Sequence, residues 1–406
     1  MSYPFVEGGV TAAKGYTASG VHCGIRKNRS KRDLALIVSD RPASAAAVYT
    51  QNKVKGAPLT VTQRHLRSGS ARAVICNSGI ANTCAFDGVE KAEGMAALAA
   101  KALGISADDV LVGSTGVIGP SLSLEPIEAG LPELVAGLST EGGSLAAEAI
   151  MTTDTVKKEA AVTFPLGGAI CTLGGMAKGS GMIAPNMATM LCFLTTDAAV
   201  EVELLKVALG EVVKDTFNMM SVDGDTSTND MVTLMANGAA GGVLLTEKNE
   251  EYAVLVAALR QVCTDLCRKL AADGEGATKL LECRVTGAGT EQDARTAAKA
   301  VINSALFKSA MFGADANWGR VLCAVGYSGA QVDVTGVSVT FRSSAGAVTV
   351  CEKGAGIPFS EEEAKKVLTE KEIVVEVGLS DGEAEAVAWG CDLTYDYVKI
   401  NGDYRT

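Results

Sequence analysis

Apolar positions along the first part of the chain come in short bursts, at residues 33–39, 45–49, 59–62 and 72–77. Bursts of this length, bounded by Gly, Ser and Asn, predict strands. Residues 91–103 are rich in Ala and Leu and predict a helix. A buried strand then runs from Asp109 into a Gly-punctuated loop ending at Gly119, followed by a helix over 144–151 and a hairpin from 160–164 and 169–173. In the second half, helical periodicity covers 202–217, 250–272, 292–311 and 361–368. Strand-like runs cover 320–325, 337–341, 347–351, 372–377 and 384–389. Residues 1–30 are Gly-rich and yield no clear element. The pattern predicts an α/β protein, and 406 residues are enough for two or more lobes.

One stretch stands apart from this rhythm. Lys178 to Asp197 opens with Gly179, Gly181 and Pro185 and then becomes an apolar run from Met190 to Leu194. The run predicts a strand buried on both faces, with Thr189 at its head and a mobile lead-in before it. A threonine so placed suits conversion into a new N-terminus. Its hydroxyl would attack the Ala188 carbonyl, and the amine freed by scission would serve as its general base. The plainer reading is a turn feeding a core strand, with Thr189 as β-branched filler.

Composition narrows the classes. Hydrophobic residues are 48% and charged residues 20% of the chain, which is globular rather than disordered material. A formal charge of −11 argues against nucleic acid and anionic membrane surfaces as partners. No apolar run reaches membrane-spanning length, and the N-terminus lacks signal- or transit-peptide character, so a cytoplasmic setting is expected. The eleven cysteines are scattered, mostly within apolar runs, as reduced core thiols would be. Cys263 and Cys267 lie four apart without a second ligand pair, so buried helix thiols are preferred to a metal site. Only His22 and His65 are available as imidazole bases, both early and without motif context. A nucleophilic enzyme built on this chain would need a different base, and an N-terminal amine is one.

Several polar segments are candidates for chemistry. Thr115 and Gly116, at the end of the strand from Asp109, sit where a hydroxyl and backbone N–H groups can point outward together, as an oxyanion site requires. A strand-end turn is the alternative. Thr152–Thr155 closes the expected helix with a polar cluster. Ser221–Asp230 alternates acids like a calcium loop but lacks the closing Glu. Glu275 lies in a Gly-flanked helix stop, Asp273–Gly276. Trp318 and Arg320 either clamp a carboxylate or lock a packed turn. Neither a complete dinucleotide-binding glycine motif nor a phosphate-binding loop is present.

The segment Gly-Met-Ala-Lys-Gly-Ser-Gly-Met-Ile-Ala-Pro-Asn-Met-Ala-Thr-Met-Leu, Gly175 to Leu191, resembles the self-cleavage signature of the ornithine acetyltransferase (glutamate N-acetyltransferase) family of arginine biosynthesis. Further matches spread over nearly the whole chain. The resemblance implies an autoprocessed fold of layered sheets and covering helices, divided into an alpha fragment, 1–188, and a beta fragment, 189–406. It implies cleavage between Ala188 and Thr189, with Thr189 as the nucleophile and Thr115 and Gly116 as the oxyanion site. It implies substrate contacts at Thr153, Lys178, Thr189, Glu275, Asn401 and Thr406, and a polar active-site wall from Ser221–Asp230. The implied reaction passes the acetyl group of N-acetylornithine to L-glutamate through an acetyl-threonine. No cofactor or metal is implied, acetyl-CoA being a candidate second donor, and the expected assembly is a heterotetramer of cleaved fragments.

Two rivals stay open at this level. An autoprocessed aminopeptidase or amidohydrolase would pass the acyl group to water, and a binding protein would leave the Ala188–Thr189 bond intact. Thr115→Ala and Gly116→Ala are expected to cut turnover while leaving the fold unchanged.

Overall fold

The computed structural model describes residues 2–184 and 190–402. Among these, fifteen strands form two sheets. The first sheet is built from β1 (Tyr16–Val21), β2 (Leu34–Tyr49), β3 (Ser70–Ile80), β4 (Val110–Val117), β5 (Lys158–Leu166), β6 (Ala169–Lys178), β7 (Leu191–Thr196) and β9 (Met231–Ala236). Its order is β4-β3-β2-β9-β7-β6-β5, with β1 also paired to β2. The second sheet uses β8 (Met220–Ser221), β10 (Leu280–Ala288), β11 (Ser338–Ser343), β12 (Gly346–Glu352), β13 (Ala355–Gly356), β14 (Glu372–Gly378) and β15 (Ala384–Cys391). Its order is β13-β12-β11-β14-β10-β15-β8.

The apolar run after residue 189 forms the centre of the first sheet. β7 lies antiparallel to β6 and parallel to β9, with Leu191 beside both Lys178 and Met231. Every residue of β7 is buried. Because strand side chains alternate faces, Leu191 and Phe193 enter one core and Cys192 and Leu194 another. The second of these cores continues through helices Val202–Asp215 and Glu250–Ala272 into the second sheet, where Val285, Phe341 and Val375 join it. The layers are therefore joined through one apolar interior, and strands from both sides of residue 189 share the first sheet.

Several local expectations need correction. Residues 59–62 belong to helix Ala57–His65, which starts with Pro58 in its first turn. Residues 320–325 belong to helix Trp318–Tyr327, whose N-cap Asn317 accepts from the Arg320 N–H. The helix expected over 292–311 is two, Glu291–Asn303 and Ala305–Phe312. Ser304 is extended between them and caps the second by accepting from the Phe307 N–H. The strands expected at 33–39 and 45–49 are one, β2, whose pairing with β3 shifts register between Val38 and Ala43. Strand β1 and helix Glu125–Ala136 were not expected; Pro126, Gly130 and Pro132 disguise the helix. Cys323 is exposed although it sits in an apolar run, where a buried core thiol was expected, whereas Cys263 and Cys267 are fully buried. No helix among the described residues is long and apolar enough to cross a membrane.

Candidate active site

β3 and β4 run parallel, and both end at the same edge of a cavity, with Gly79 beside Gly116. At Gly116 φ is +132°, and a Cβ would run into the Gly79 carbonyl. Only glycine lets the two backbones approach this closely. The strand end is held from across the sheet by Asn229. Its side-chain amide donates to the carbonyls of Ala81 (2.5 Å) and Ser114 (3.0 Å), while its oxygen accepts from the hydroxyls of Thr83 and Thr228 (both 2.6 Å). The residue pair expected to hold an oxyanion is thus fixed by backbone packing on one side and by an amide clamp on the other.

The cavity beyond this strand end has a volume of about 130 Å³. Thr115, Gly116, Thr153, Lys178, Glu275 and Asn401 all line it, although they come from widely separated parts of the sequence. Ser227, Thr228 and Asn229 supply a further wall, as expected for the polar loop from Ser221 to Asp230. Thr152 lines the cavity beside Thr153, whereas Thr155 is turned away, donating its N–H and hydroxyl to Asp273. His22 and His65 line no part of it, and neither do Trp318 and Arg320. Trp318 packs over Gly356, and Arg320 donates to the Leu306 carbonyl at 2.6 Å, so this pair locks a packed turn. The volume is well below the ~300–1,000 Å³ of typical drug-sized sites. It suits a small polar molecule.

Lys178 projects from the end of β6 and is 8% exposed. Its ammonium donates to the Thr115 hydroxyl oxygen at 3.3 Å. Burial pushes it below the ordinary lysine range; Asp154 opposes that shift and Lys158 adds to it. Burial alone would raise Asp154, but the charges of Lys178 and Lys158 and the hydrogen bonds from Lys158 and the Thr152 N–H outweigh it and hold the carboxyl well below the usual range. Asp230, immediately before β9, is driven the other way. Burial lifts its carboxyl well above the ordinary value, against a hydrogen bond from Ser227 and the charge of Lys178. Its Oδ2 has no hydrogen-bond partner among the described residues.

On the opposite wall, the Glu275 N–H donates to the Ser180 carbonyl at 2.8 Å, and Glu275 Oε2 accepts from the Asn401 amide at 2.8 Å. Gly181 makes room for this carboxylate, since a Cβ there would strike it. Below lies a cluster that sequence reasoning missed. Lys158, fully buried, donates to Asp154 at 2.6 Å and to Asp273 at 2.5 Å. Asp154 also accepts from the N–H groups of Thr152 (2.9 Å) and Gly179 (2.7 Å), so one buried ion set fixes both sides of the cavity. The four-residue spacing of Asp154 and Lys158 was the available signal, but Lys157-Lys158 reads as a solvated pair.

The lead-in expected to be mobile is hydrogen-bonded along its described part, up to Ala184, and Pro185 lies outside the described residues. Asp223 accepts from the N–H groups of Met182 (2.6 Å) and Ile183 (2.8 Å), and the Thr226 hydroxyl donates to the Ala184 carbonyl at 2.9 Å. Met182 is held at φ +53°, a left-handed conformation unusual for its side chain. The chain is therefore strapped down as far as Ala184, and Met190 is fixed again where its carbonyl accepts from the Met231 N–H at 3.0 Å. Ala188, Thr189 and Thr406, singled out from the sequence, lie outside the described residues.

Two sheets bridged by helix Glu250–Ala272 and a small charged cavity at strand ends define an α/β enzyme for a small ionic molecule. The comparisons give the particular family. The model of the ArgJ family matches residues 17–406. The chain is 52% identical over 404 residues to the arginine biosynthesis bifunctional protein ArgJ of Symbiobacterium thermophilum, covering 99% of this chain and 100% of that one. It is 52% identical over 402 residues to the protein of the same name from Caldanaerobacter subterraneus subsp. tengcongensis, covering 99% of each. The crystal structure of arginine biosynthesis bifunctional protein ArgJ from Bacillus halodurans is similar, with a TM-score of 0.51 and 46% identity. That likeness covers 53% of this chain and all of the other. The chain belongs to the ArgJ family.

Proposed function

We propose that this protein is an acetyltransferase of arginine biosynthesis that moves the acetyl group of N2-acetylornithine to L-glutamate through an ester on Thr189. The observation that carries this reading is the convergence of Thr115, Gly116, Thr153, Lys178, Glu275 and Asn401 on one cavity of about 130 Å³. In the proposed reaction the Thr189 oxygen bonds to the acetyl carbon, the amide C–N bond breaks, and the hydroxyl proton passes through the Thr189 α-amine to the departing ornithine nitrogen. The amine of glutamate then attacks the ester, and the threonine oxygen regains a proton. Thr115 and Gly116 stabilise the oxyanion of each tetrahedral intermediate, a donor in such a position contributing ~10²–10³ in rate. Glu275 faces the cationic side chain of ornithine, Lys178 faces a substrate carboxylate, and Thr153, Asn401 and Thr406 complete the contacts.

The same reading requires cleavage between Ala188 and Thr189, giving fragments 1–188 and 189–406. Support comes from the anchoring of both flanks, at Ala184 and Met190, and from the sheet that strands of both fragments share. It also carries a cytoplasmic setting, an assembly of two cleaved heterodimers, and acetyl-CoA as a second acetyl donor used without any bound cofactor.

One experiment tests the core of it. Intact-mass analysis of the purified protein is expected to give two fragments joined at 188/189, and acetyl release from acetylornithine is expected to require glutamate. An active single chain of 406 residues would defeat the mechanism. Release without glutamate would mean hydrolysis instead of transfer.

A further inference from the structure

Lys158 takes no part in the reaction proposed above, yet its side chain is wholly shut off from water. Its backbone pairs with Ala177, the residue before Lys178. Its single ammonium nitrogen serves two carboxylates at once, Asp154 Oδ1 at 2.6 Å and Asp273 Oδ2 at 2.5 Å. Both acids are fully occupied. Asp154 Oδ1 also accepts from the Gly179 N–H (2.7 Å), and its Oδ2 accepts from the Thr152 N–H (2.9 Å). Asp273 Oδ1 accepts from the Thr155 hydroxyl, and its Oδ2 from the Thr155 N–H at 3.0 Å. With Lys178, whose charge acts on Asp154, the set holds two acids and two lysines, so its formal charges cancel. A buried ion set is weak evidence for stability, because well-packed apolar residues often do as well. A fully bonded one specifies position.

What it positions is the two ends of the catalytic cavity. Asp154 follows Thr153 in the chain and bonds the residue after Lys178, so it belongs to the wall that carries both of these groups. Asp273 opens the turn that carries Glu275. That turn is stitched to the segment leaving β6 by two bonds. The Ser180 hydroxyl donates to the Asp273 carbonyl at 2.6 Å, and the Glu275 N–H donates to the Ser180 carbonyl at 2.8 Å. The Glu275 carboxylate is pressed against Gly181 and cannot retreat that way. Lys158 therefore joins the Lys178 end of the cavity to the Glu275 end, and a volume of about 130 Å³ leaves little slack between them.

We propose that Lys158 is a positioning residue that sets the separation of Lys178 and Glu275, and so selects the acetylated donor by the length of its cationic side chain. The proposal rests on the reading above that Lys178 faces a substrate carboxylate and Glu275 the cationic end of ornithine. A donor held at both ends by charge has one length that fits. A side chain one methylene longer or shorter leaves a charge unpaired at one end of a closed site. That penalty is at least the ~10–200-fold that a methylene is worth in an apolar pocket, because an unpaired buried charge adds to it. Replacing Lys158 by arginine keeps the positive charge but changes the spacing. One nitrogen shared by two carboxylates becomes a planar fork whose nitrogens each take one of them. The two acids move apart, and the cavity lengthens.

The test is made on the full cleaved enzyme with glutamate as acceptor, by comparing kcat/KM for three donors. These are α-N-acetylornithine, α-N-acetyllysine with one methylene more, and α-N-acetyldiaminobutyrate with one fewer. Wild type is expected to prefer acetylornithine to each homologue by about tenfold or more. Lys158→Arg is expected to lower the preference over acetyllysine by about tenfold and to leave the preference over the shorter homologue unchanged or larger. Ser180→Ala removes the hydroxyl tie to the Asp273 carbonyl without touching a charge, and it carries the test if Lys158→Arg does not fold. A turn so loosened is expected to lower both preferences, by less. Wild-type preferences in a folded Lys158→Arg protein would overturn the proposal. So would unaltered preferences in Ser180→Ala where the arginine variant is unfolded, or a wild type that uses all three donors equally. A proportionate loss with every donor would also overturn it, by making Lys158 a structural support. Failure of wild type to use acetylornithine would instead defeat the acetyltransferase reading, so the two failures are distinguishable.

Discussion

The Lys178 ammonium donates to the Thr115 hydroxyl oxygen at 3.3 Å, tying the end of β6 to the end of β4. The hydroxyl accepts from a cation, so its own proton remains available to donate into the cavity, and the bond polarises it further. Thr115→Ser retains this arrangement and is expected to stay within about tenfold of wild-type kcat. Thr115→Ala removes the donor and is expected to lower kcat by ~10²–10³ without a change in Tm. Unchanged kcat in a folded Thr115→Ala protein would remove this hydroxyl from the reaction.

Gly116→Ala is a different experiment, and here the structure changes the expectation formed from the sequence. A Cβ at φ +132° would collide with the Gly79 carbonyl, which is backbone and cannot swing aside. The variant is expected to lose stability as well as activity, by about 1–3 kcal/mol for overpacking at a tight site. Thermal unfolding of the variant checks this. An unaltered Tm would mean that β3 and β4 can separate at no cost.

Glu275 accepts from the Asn401 amide and occupies space that only Gly181 leaves open. Glu275→Gln keeps the shape and removes the charge. It is expected to raise the KM for acetylornithine, whose side chain is cationic, roughly tenfold or more, the ~1.5–3 kcal/mol of a charge-assisted hydrogen bond. Deacetylation of the acyl-enzyme by glutamate is expected to change little. Single-turnover measurements of each half-reaction separate the two, and equal losses would assign Glu275 a structural or catalytic role.

The residues around the cavity were legible to different degrees. Thr115, Gly116, Lys178 and Glu275 sit at strand ends or helix stops that Gly residues mark in the sequence, but locally these read as turns and solvated side chains, and their place at a common site came from family resemblance. Asn401 was placed by family resemblance, because a C-terminal polar segment normally reads as a frayed end. The cluster of Lys158, Asp154 and Asp273 was not readable. Its members are separated by up to 119 positions, and a lysine beside a lysine gives no hint of a fully buried ion pair. Helix Trp318–Tyr327 was mistaken for a strand because its apolar Val321, Ala324 and Val325 fit either period over so short a window. The local N-cap of Asn317 on the Arg320 N–H marks the start of the helix.

Asp230 gives a prediction on stability. Burial raises its carboxyl well above the ordinary 3.8, so the folded protein holds a proton that the unfolded chain releases. Folding then takes up a proton over the pH range from about 4 upward to the raised value, and stability falls as pH rises through that window, by ~1.4 kcal/mol per pH unit for one group. Asp230→Asn has no proton to lose. It is expected to flatten this slope and to leave the protein at least as stable at neutral pH, as read from denaturant midpoints at pH 5 and 8. A large loss of stability at pH 8 would show that the ionised carboxylate is needed there, as a partner for Lys178.

Lys178 sets the alkaline side of the activity profile. Free-enzyme activity in the proposed mechanism needs a neutral Thr189 amine, whose ordinary pKa is ~7.7–8, and a charged Lys178. kcat/KM is therefore expected to rise as the amine loses its proton and to fall as Lys178 loses its own. Burial has moved the lysine below its ordinary 10.5, so the descending limb is expected at lower pH than for an exposed lysine. A substrate carboxylate bound beside the ammonium favours the charged form, and the limb in kcat, at saturating acetylornithine, is expected to lie above the limb in kcat/KM. Lys178→Arg keeps the charge to beyond pH ~12 and is expected to abolish the descending limb even where its absolute rate is reduced. Lys178→Met is expected to raise KM for both amino-acid substrates at every pH, since each brings a carboxylate. An unaltered descending limb in Lys178→Arg would assign that limb to another group and take Lys178 out of carboxylate recognition.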